Sequence, residues 1–453
     1  MHLLNKSGEE SIDSSPDSIQ PNPLTATSFY AYIASAPQGK RMTRTIKIAS
    51  PNTPTPVRGE ITSRERAQLA LRHVEPDRVP VDLLMTPEVW QKLVRHFGLD
   101  WHKPSDDQFF DPLWNQVAIQ LASDVRLLSY DQFCKPPESI LRPGARIEWW
   151  DALSRSTPNR MWRQWMPDGT SYDIWGHHYR IVDNPTGAYE EFASWPLQEA
   201  TSVDDLKQFP FPEPDWWDFS ALPEAMHQVD PQRELYLRFR IGSVFELAWQ
   251  IRGMQEFLID LAAQPAIPMY IMERLTDTHV ENLERALSIA GNEIDMVYFY
   301  DDVATARSLM ISPSMWRDLV RPCHERIIAV AKKYNKPIMY HCDGAIAPLI
   351  PELIEMGVDL LNPIQPDSPG MDCARLKRDF GDRISFHGGI DIIKTLPRGT
   401  VNDVRAEVRE RVRVLGENGG YILCSSHHIQ ADTPIENILA MYDVMLRYRT
   451  PQS

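Results

Sequence analysis

Two histidine motifs stand where apolar runs stop. Lys336-Pro337-Ile338-Met339-Tyr340 leads into His341-Cys342-Asp343-Gly344, and Tyr421-Ile422-Leu423-Cys424 leads into Ser425-Ser426-His427-His428. Successive side chains of an extended backbone alternate sides, so His341 and Asp343 share one face and Cys342 takes the other. If the two runs are parallel strands of one barrel, their ends open onto a common mouth, and His427 reaches the same space. A His, carboxylate and His set with a fourth position open to water or substrate can form a catalytic metal site. The carboxylate moves preference from a soft, sulfur-rich zinc site toward a borderline or harder ion. The competing reading has His341 bonded to Asp343 or a neighbour, merely fixing the loop. Cys342 lies on the opposite face and Cys424 inside an apolar run, so both are expected to be buried thiols rather than ligands.

Other polar residues follow apolar runs in the same way: Asp301 and Asp302, Asn362 and Gln365, His387 and Asp391, then His428. In a barrel they would ring the face where chemistry is done. Asp302 is a candidate for orienting substrate or moving a proton, and Glu246, Asn362, Gln365 and His387 are candidates for binding substrate. Each has a structural alternative: loop aspartates cap helices, Asn362-Pro363 is a turn signal, and His387-Gly388-Gly389 reads as a tight turn.

The elements that must carry these residues are legible from residue 235 onward. Strand-like runs at 235–239, 294–299, 337–340, 358–361, 384–386 and 421–424 alternate with helical segments, among them 314–334, 346–356, 401–418 and 434–448. Repeated strand and helix units imply a parallel sheet, and this many favour a (β/α)8 TIM barrel over residues 59–453. No GxGxxG follows the first strand, so the dinucleotide fold lacks its fingerprint. Upstream, Thr62-Ser63-Arg64-Glu65 is a capping box that starts a helix, and 78–84 reads as the first strand, its Pro80 near the start. Residues 141–218 are rich in Trp, Pro and Tyr and are expected to form an inserted lobe of loops and hairpins, its aromatics packing under a long loop or covering a pocket. Residues 1–58 are rich in Ser, Pro, Thr and Asn and are expected to be a disordered tail. Acids at Glu9 and Glu10 argue against a secretory signal, and Met42 can equally serve as the natural start.

Composition narrows the function classes. A net charge of −15 disfavours nucleic acid and anionic membranes as partners, because phosphate binding relies on Lys and Arg. Five scattered cysteines without a CxxC pair fit reduced thiols in a cytoplasmic protein. No apolar run approaches the roughly 18 residues of a membrane span.

Together these residues resemble the uroporphyrinogen decarboxylase superfamily, which contains porphyrinogen decarboxylases and corrinoid-dependent methyltransferases. The resemblance runs over about residues 60–448. It is carried by Thr62 to Arg66 through Pro76 to Pro80, by Asp301-Asp302 ahead of Ile311-Ser312-Pro313, by His341-Cys342-Asp343-Gly344, and by His427 through Ile438. In the methyltransferase branch a His-x-Cys-Gly motif and a later Cys bind zinc. Here Asp343 replaces the first Cys and His427 the second, so the resemblance implies a divalent metal on His341, Asp343 and His427. The decarboxylase branch implies instead Asp131, reached through an Asp-x6-Asp pattern from Asp124, together with His427 and no metal. That branch's Arg-rich segment near the first strand has no counterpart at Pro80 to Met85, which argues against a polycarboxylate porphyrinogen. The resemblance therefore implies a metal-assisted methyltransferase acting on a methylated small molecule or methyl-corrinoid, with Asp131, Asp302 and His427 in catalysis. No Asp-x-His-x-x-Gly motif is present, so a corrinoid would arrive as substrate or on a separate carrier protein. A uroporphyrinogen-type decarboxylase and a non-catalytic binding protein are the alternatives.

Overall fold

In the computed structural model, residues 61–447 are described, apart from 101, 151–158 and 185–186; the tail expected over 1–58 lies outside the described residues. The chain enters through the helix Ser63–Leu71, whose capping box at Thr62 and Glu65 forms as the sequence predicts. Strand β1 (Val125–Ser129) follows. The lobe then contributes β2 (Arg146–Glu148), β3 (Arg163–Trp165), β4 (Ser171–Tyr172), β5 (His178–Asn184) and β6 (Gly187–Ser194). The remaining strands are β7 (Tyr236–Ile241), β8 (Met296–Tyr300), β9 (Ile338–His341), β10 (Leu360–Ile364), β11 (Ser385–Ile390) and β12 (Tyr421–Ser425).

β1 and β7 to β12 form one parallel sheet in the order β1-β7-β8-β9-β10-β11-β12, whereas β2 to β6 form a separate antiparallel sheet. The parallel strands are buried almost throughout, as sheets covered on both faces must be. The sheet curls. Leu423 of β12 donates its N–H to Pro80 O and accepts from Asp82 N–H, while Asp124, just ahead of β1, donates to Val81 O. One short segment thus touches both edge strands. It pairs only as isolated bridges, Val81 with Leu423 and Met85 with Ile429, rather than as the continuous strand expected over 78–84. Pro80 has no N–H to give, which interrupts a ladder there.

Inside the curl, Val125, Tyr236, Met296, Met339, Leu360 and Ile422 meet in one buried layer, with Ala67 of the first helix against them. That helix is locked by Asp124, fully buried, which accepts from Ser63 Oγ at 2.6 Å, Arg66 Nη1 at 2.8 Å, Arg78 Nη1 at 2.7 Å and the Val81 N–H at 2.8 Å. The Thr62-to-Arg66 and Pro76-to-Pro80 motifs are therefore structural: they clamp the end of the sheet remote from the histidines. In the lobe, Trp150, Trp162 and Trp175 are buried, so these aromatics serve packing.

Candidate metal centre at the strand ends

β8 ends in two acids that the pleat separates. Asp301 is fully buried and structural: it accepts the N–H groups of Val244, Phe245 and Glu246 at 3.2, 2.8 and 2.6 Å, and His324 Nε2 donates to it at 2.7 Å. It thereby satisfies the otherwise orphaned amides at the start of the helix Phe245–Arg252. Asp302 faces the other way. Its Oδ1 accepts the Asp343 N–H at 2.7 Å and lies 3.8 Å from His341 Nε2.

His341 closes β9. Its Nδ1 lies 2.6 Å from Asn362 Oδ1, and its Nε2 faces Asp302 Oδ1 and Asp343 Oδ1, each at 3.8 Å. One donor atom from each of Asp302, His341 and Asp343 falls within 4.8 Å of the others. The second oxygen of Asp343 lies 3.2 Å from His427 Nε2, so both predicted histidines converge on one carboxylate. Gln365 ties the two motifs together, accepting the Gly344 N–H at 2.7 Å and donating to Asp343 Oδ1 at 3.2 Å and Ser426 O at 3.4 Å. Gly344 has φ +80°, and a β-carbon there would collide with the Thr305 backbone. Only glycine turns the chain this tightly beneath Asp343.

The electrostatics describe a site short of positive charge. Burial would raise Asp343, but His427 and His341 outweigh it and hold the carboxyl at about 2. Burial and then Asp343 push Asp302 up to about 6. Burial, Asp302, Asp301 and Asp343 push Glu246 well above the usual carboxylate range. Burial lowers His427, and Asp343 more than restores it, leaving the imidazole raised. A cation beside these crowded acids would offset the repulsion that keeps protons on them. The nitrogen and oxygen donors fit a divalent ion of borderline hardness.

Among the residues expected to bind substrate, two need correction. Asn362 is buried, with Oδ1 on His341 and Nδ2 donating to His387 Nδ1 at 2.6 Å. His387 is fully buried, and its other nitrogen, Nε2, donates to Asp82 Oδ2 at 2.9 Å. Both are buried behind His341, and each of their polar side-chain atoms already has a partner within the protein. Gln365 acts as the brace just described. Glu246 lies beside Asp302, its Oε1 accepting from Gln250 at 2.9 Å. Asp131 is paired with Arg240 at 2.9 Å and accepts from Ser129 Oγ at 2.7 Å. Asp391 accepts the Ile393 N–H at 2.6 Å in its own turn, and His428 packs edge-on against His427. Cys342 and Cys424 are fully buried and burial raises both thiols, as the alternation implied.

Sequence reasoning passed over Asp82 and Arg238, an ion pair of 2.6 Å buried among the strands, and Arg240, whose guanidinium lies 5.6 Å from the Tyr300 ring. The signal available was a charged residue inside each apolar run, Asp82 between Val81 and Leu83 and Arg238 between Leu237 and Phe239. Such residues are rarely buried unless paired.

Comparison with known proteins bears on this site. The family model for uroporphyrinogen decarboxylase (URO-D) matches residues 195–448. The methylated-thiol–coenzyme M methyltransferase of Methanosarcina mazei is 28% identical over 216 residues, which cover 44% of this chain and 55% of that protein. The chain thus spans about half the length of the curated relative it matches. A solved methyltransferase from Methanosarcina mazei superposes with a TM-score of 0.53 at 18% identity, covering 85% of this chain and 98% of that one, a likeness of fold.

Proposed function

The chain belongs to the uroporphyrinogen decarboxylase family, and from that premise we propose that it is a metal-assisted methyltransferase acting on a methylated small molecule or methyl-corrinoid. Its scaffold in this reading is a (β/α)8 barrel, with the segment around Val81 as the eighth stave between β12 and β1. The observation that carries the proposal is His341 Nε2 facing two carboxylates at 3.8 Å, one of which also lies 3.2 Å from His427 Nε2. Similarity to the methylated-thiol–coenzyme M methyltransferase favours this branch.

His341, Asp343 and His427 would hold the ion, with Asp302 as a further oxygen donor. A divalent ion there supplies Lewis acidity toward the methyl acceptor or leaving group. The rest is done by the chain itself. The Asp302 carboxyl, at about 6 without an ion, would fall once a cation offsets Asp343, leaving an ionised group that can accept a proton or orient substrate. Glu246, whose carboxyl stays protonated longer than usual, can donate a hydrogen bond to a substrate oxygen or sulfur. Tyr298 packs edge-on against His341 and restricts how the ring can swing.

A decarboxylase using Asp131 and His427 without a metal is the second reading. The pairs Asp131–Arg240 and His427–Asp343 weigh against it, because both groups are already engaged. No helix among the described residues is long and apolar enough to cross a membrane. A corrinoid would come as free substrate or on a separate carrier protein. Anaerobic incubation with methylcob(III)alamin and a panel of thiols tests the proposal: cob(I)alamin should form with at least one acceptor. Formation with none, alongside loss of carboxylates from uroporphyrinogen, would transfer the protein to the decarboxylase branch.

A further inference from the structure

A line of buried hydrogen bonds runs from the interior of the sheet to the candidate metal centre, through residues of β7, β9, β10 and β11 and the segment that meets both sheet edges. Arg238 Nη2 lies 2.6 Å from Asp82 Oδ2, His387 Nε2 lies 2.9 Å from the same oxygen, Asn362 Nδ2 lies 2.6 Å from His387 Nδ1, and His341 Nδ1 lies 2.6 Å from Asn362 Oδ1. Asp82 is 1% exposed, Arg238 3%, Asn362 1% and His387 0%, so water does not substitute for any partner.

The roles of donor and acceptor along this line are forced. A guanidinium has only donors, so Asp82 is an ionised acceptor. Burial would raise its carboxyl, but Arg238 and His387 hold it at about 2, and Oδ1 accepts the Leu83 N–H at 2.8 Å. With no proton on Asp82, the hydrogen on that link belongs to His387 Nε2. A neutral imidazole with hydrogen on Nε2 has a lone pair on Nδ1, so Asn362 must turn its amide nitrogen toward His387. Its oxygen is then left for His341 and can only accept. The His341 proton sits on Nδ1, and Nε2 is bare where Asp302 and Asp343 converge.

Asp82, His387 and Cys424 also bring three donor atoms within 4.8 Å of one another. Arg238 sits against that trio, and a guanidinium beside Asp82 repels a second cation. Two of the three, Asp82 and His387, belong to the relay.

We infer that Arg238, Asp82, His387 and Asn362 are positioning residues that select the His341 tautomer able to ligate a metal. The inference rests on the proposed reading of His341 as a ligand, but its first readout does not. Selective 15N-histidine labelling of the metal-free protein at about pH 8, where a free imidazole is neutral, distinguishes the two tautomers through two-bond 1H–15N couplings. The expected spectrum has hydrogen on Nδ1 of His341 and on Nε2 of His387. Hydrogen on Nε2 of His341 overturns the inference.

The second readout is Zn2+ affinity by competition with a chelator. Asn362→Leu removes the acceptor and should weaken binding by about 10- to 100-fold, the usual cost of losing an outer partner of a metal-bound histidine. Asn362→Asp keeps an acceptor for His341 and should hold affinity near the native value, with His387 then carrying protons on both nitrogens. A purely structural role for Asn362 would not make the acid rescue what leucine loses. Equal weakening in both variants, or none in Asn362→Leu, refutes the relay. Absence of Zn2+ binding by the native protein with the expected tautomers sinks the metal reading and leaves the tautomer assignment standing.

Discussion

Adjacent residues Asp301 and Asp302 should respond oppositely to substitution, because the pleat points one into the fold and the other at the site. Asp301→Ala strips a fully buried carboxylate from the N–H groups of Val244, Phe245 and Glu246 and from His324 Nε2. Each abandoned buried donor costs on the order of 1–3 kcal/mol. Some relaxation and water entry will recover part of that sum, so a net loss of about 3–5 kcal/mol is expected. Against a typical stability of about 5–15 kcal/mol, such a loss is large. Asp302→Asn keeps an oxygen for the Asp343 N–H and removes a carboxylate crowded by Asp343. Its stability should change by less than about 1 kcal/mol, while metal binding falls. Urea denaturation followed by far-UV circular dichroism, with EDTA present throughout, compares both with the native protein on equal terms. A loss below about 1 kcal/mol for Asp301→Ala, or an equal loss in the two variants, would refute the division of roles.

Two further outcomes follow from particular residues. Burial lowers the His279 imidazole to about 4, the Ser243 carbonyl opposing it weakly, so the unfolded chain takes up a proton there before the folded one does. Stability is therefore full above about pH 6.5 and declines as pH falls toward 4, by about 3 kcal/mol from this group. His279→Gln should flatten the acid limb of urea midpoints measured against pH, and an unchanged slope would count against it. Gly344→Ala places a β-carbon against Thr305 at φ +80° and should lower the thermal midpoint, with a cost of about 2 kcal/mol or more. A variant melting with the native protein would mean that the turn below Asp343 tolerates a side chain.

The parallel strands were readable because each is a short buried apolar run. β1 was not, since Arg126 and Ser129 interrupt the run; Arg126 is buried and bonds Ser123 O and Val125 O at 2.8 Å. Alternation put His341 and Asp343 on one face, and the expectation of a shared strand mouth brought in His427; in the structure Asp343 lies 3.8 Å from His341 Nε2 and 3.2 Å from His427 Nε2. Asn362 and His387 were misread for one shared reason. Pro363 and Gly388-Gly389 are turn signals, so the sequence ends those strands at 361 and 386, yet β10 continues to Ile364 and β11 to Ile390. Residues expected at the mouth therefore lie inside. Gly388 is bare for packing, because a β-carbon there would meet Ile364 N at 3.0 Å. Asp82 and Arg238 were invisible because only the folded sheet brings each charge its partner.

The proposed function depends on one ion being held by His341, Asp343 and His427. Metal content of the full chain, by mass spectrometry after growth with Zn, Mn, Fe and Co supplied, tests this most directly. The account predicts about one divalent ion per chain, lost in folded His341→Ala and His427→Ala variants. Native protein with far less than an equivalent of every metal, or variants that keep their ion undiminished, would contradict it.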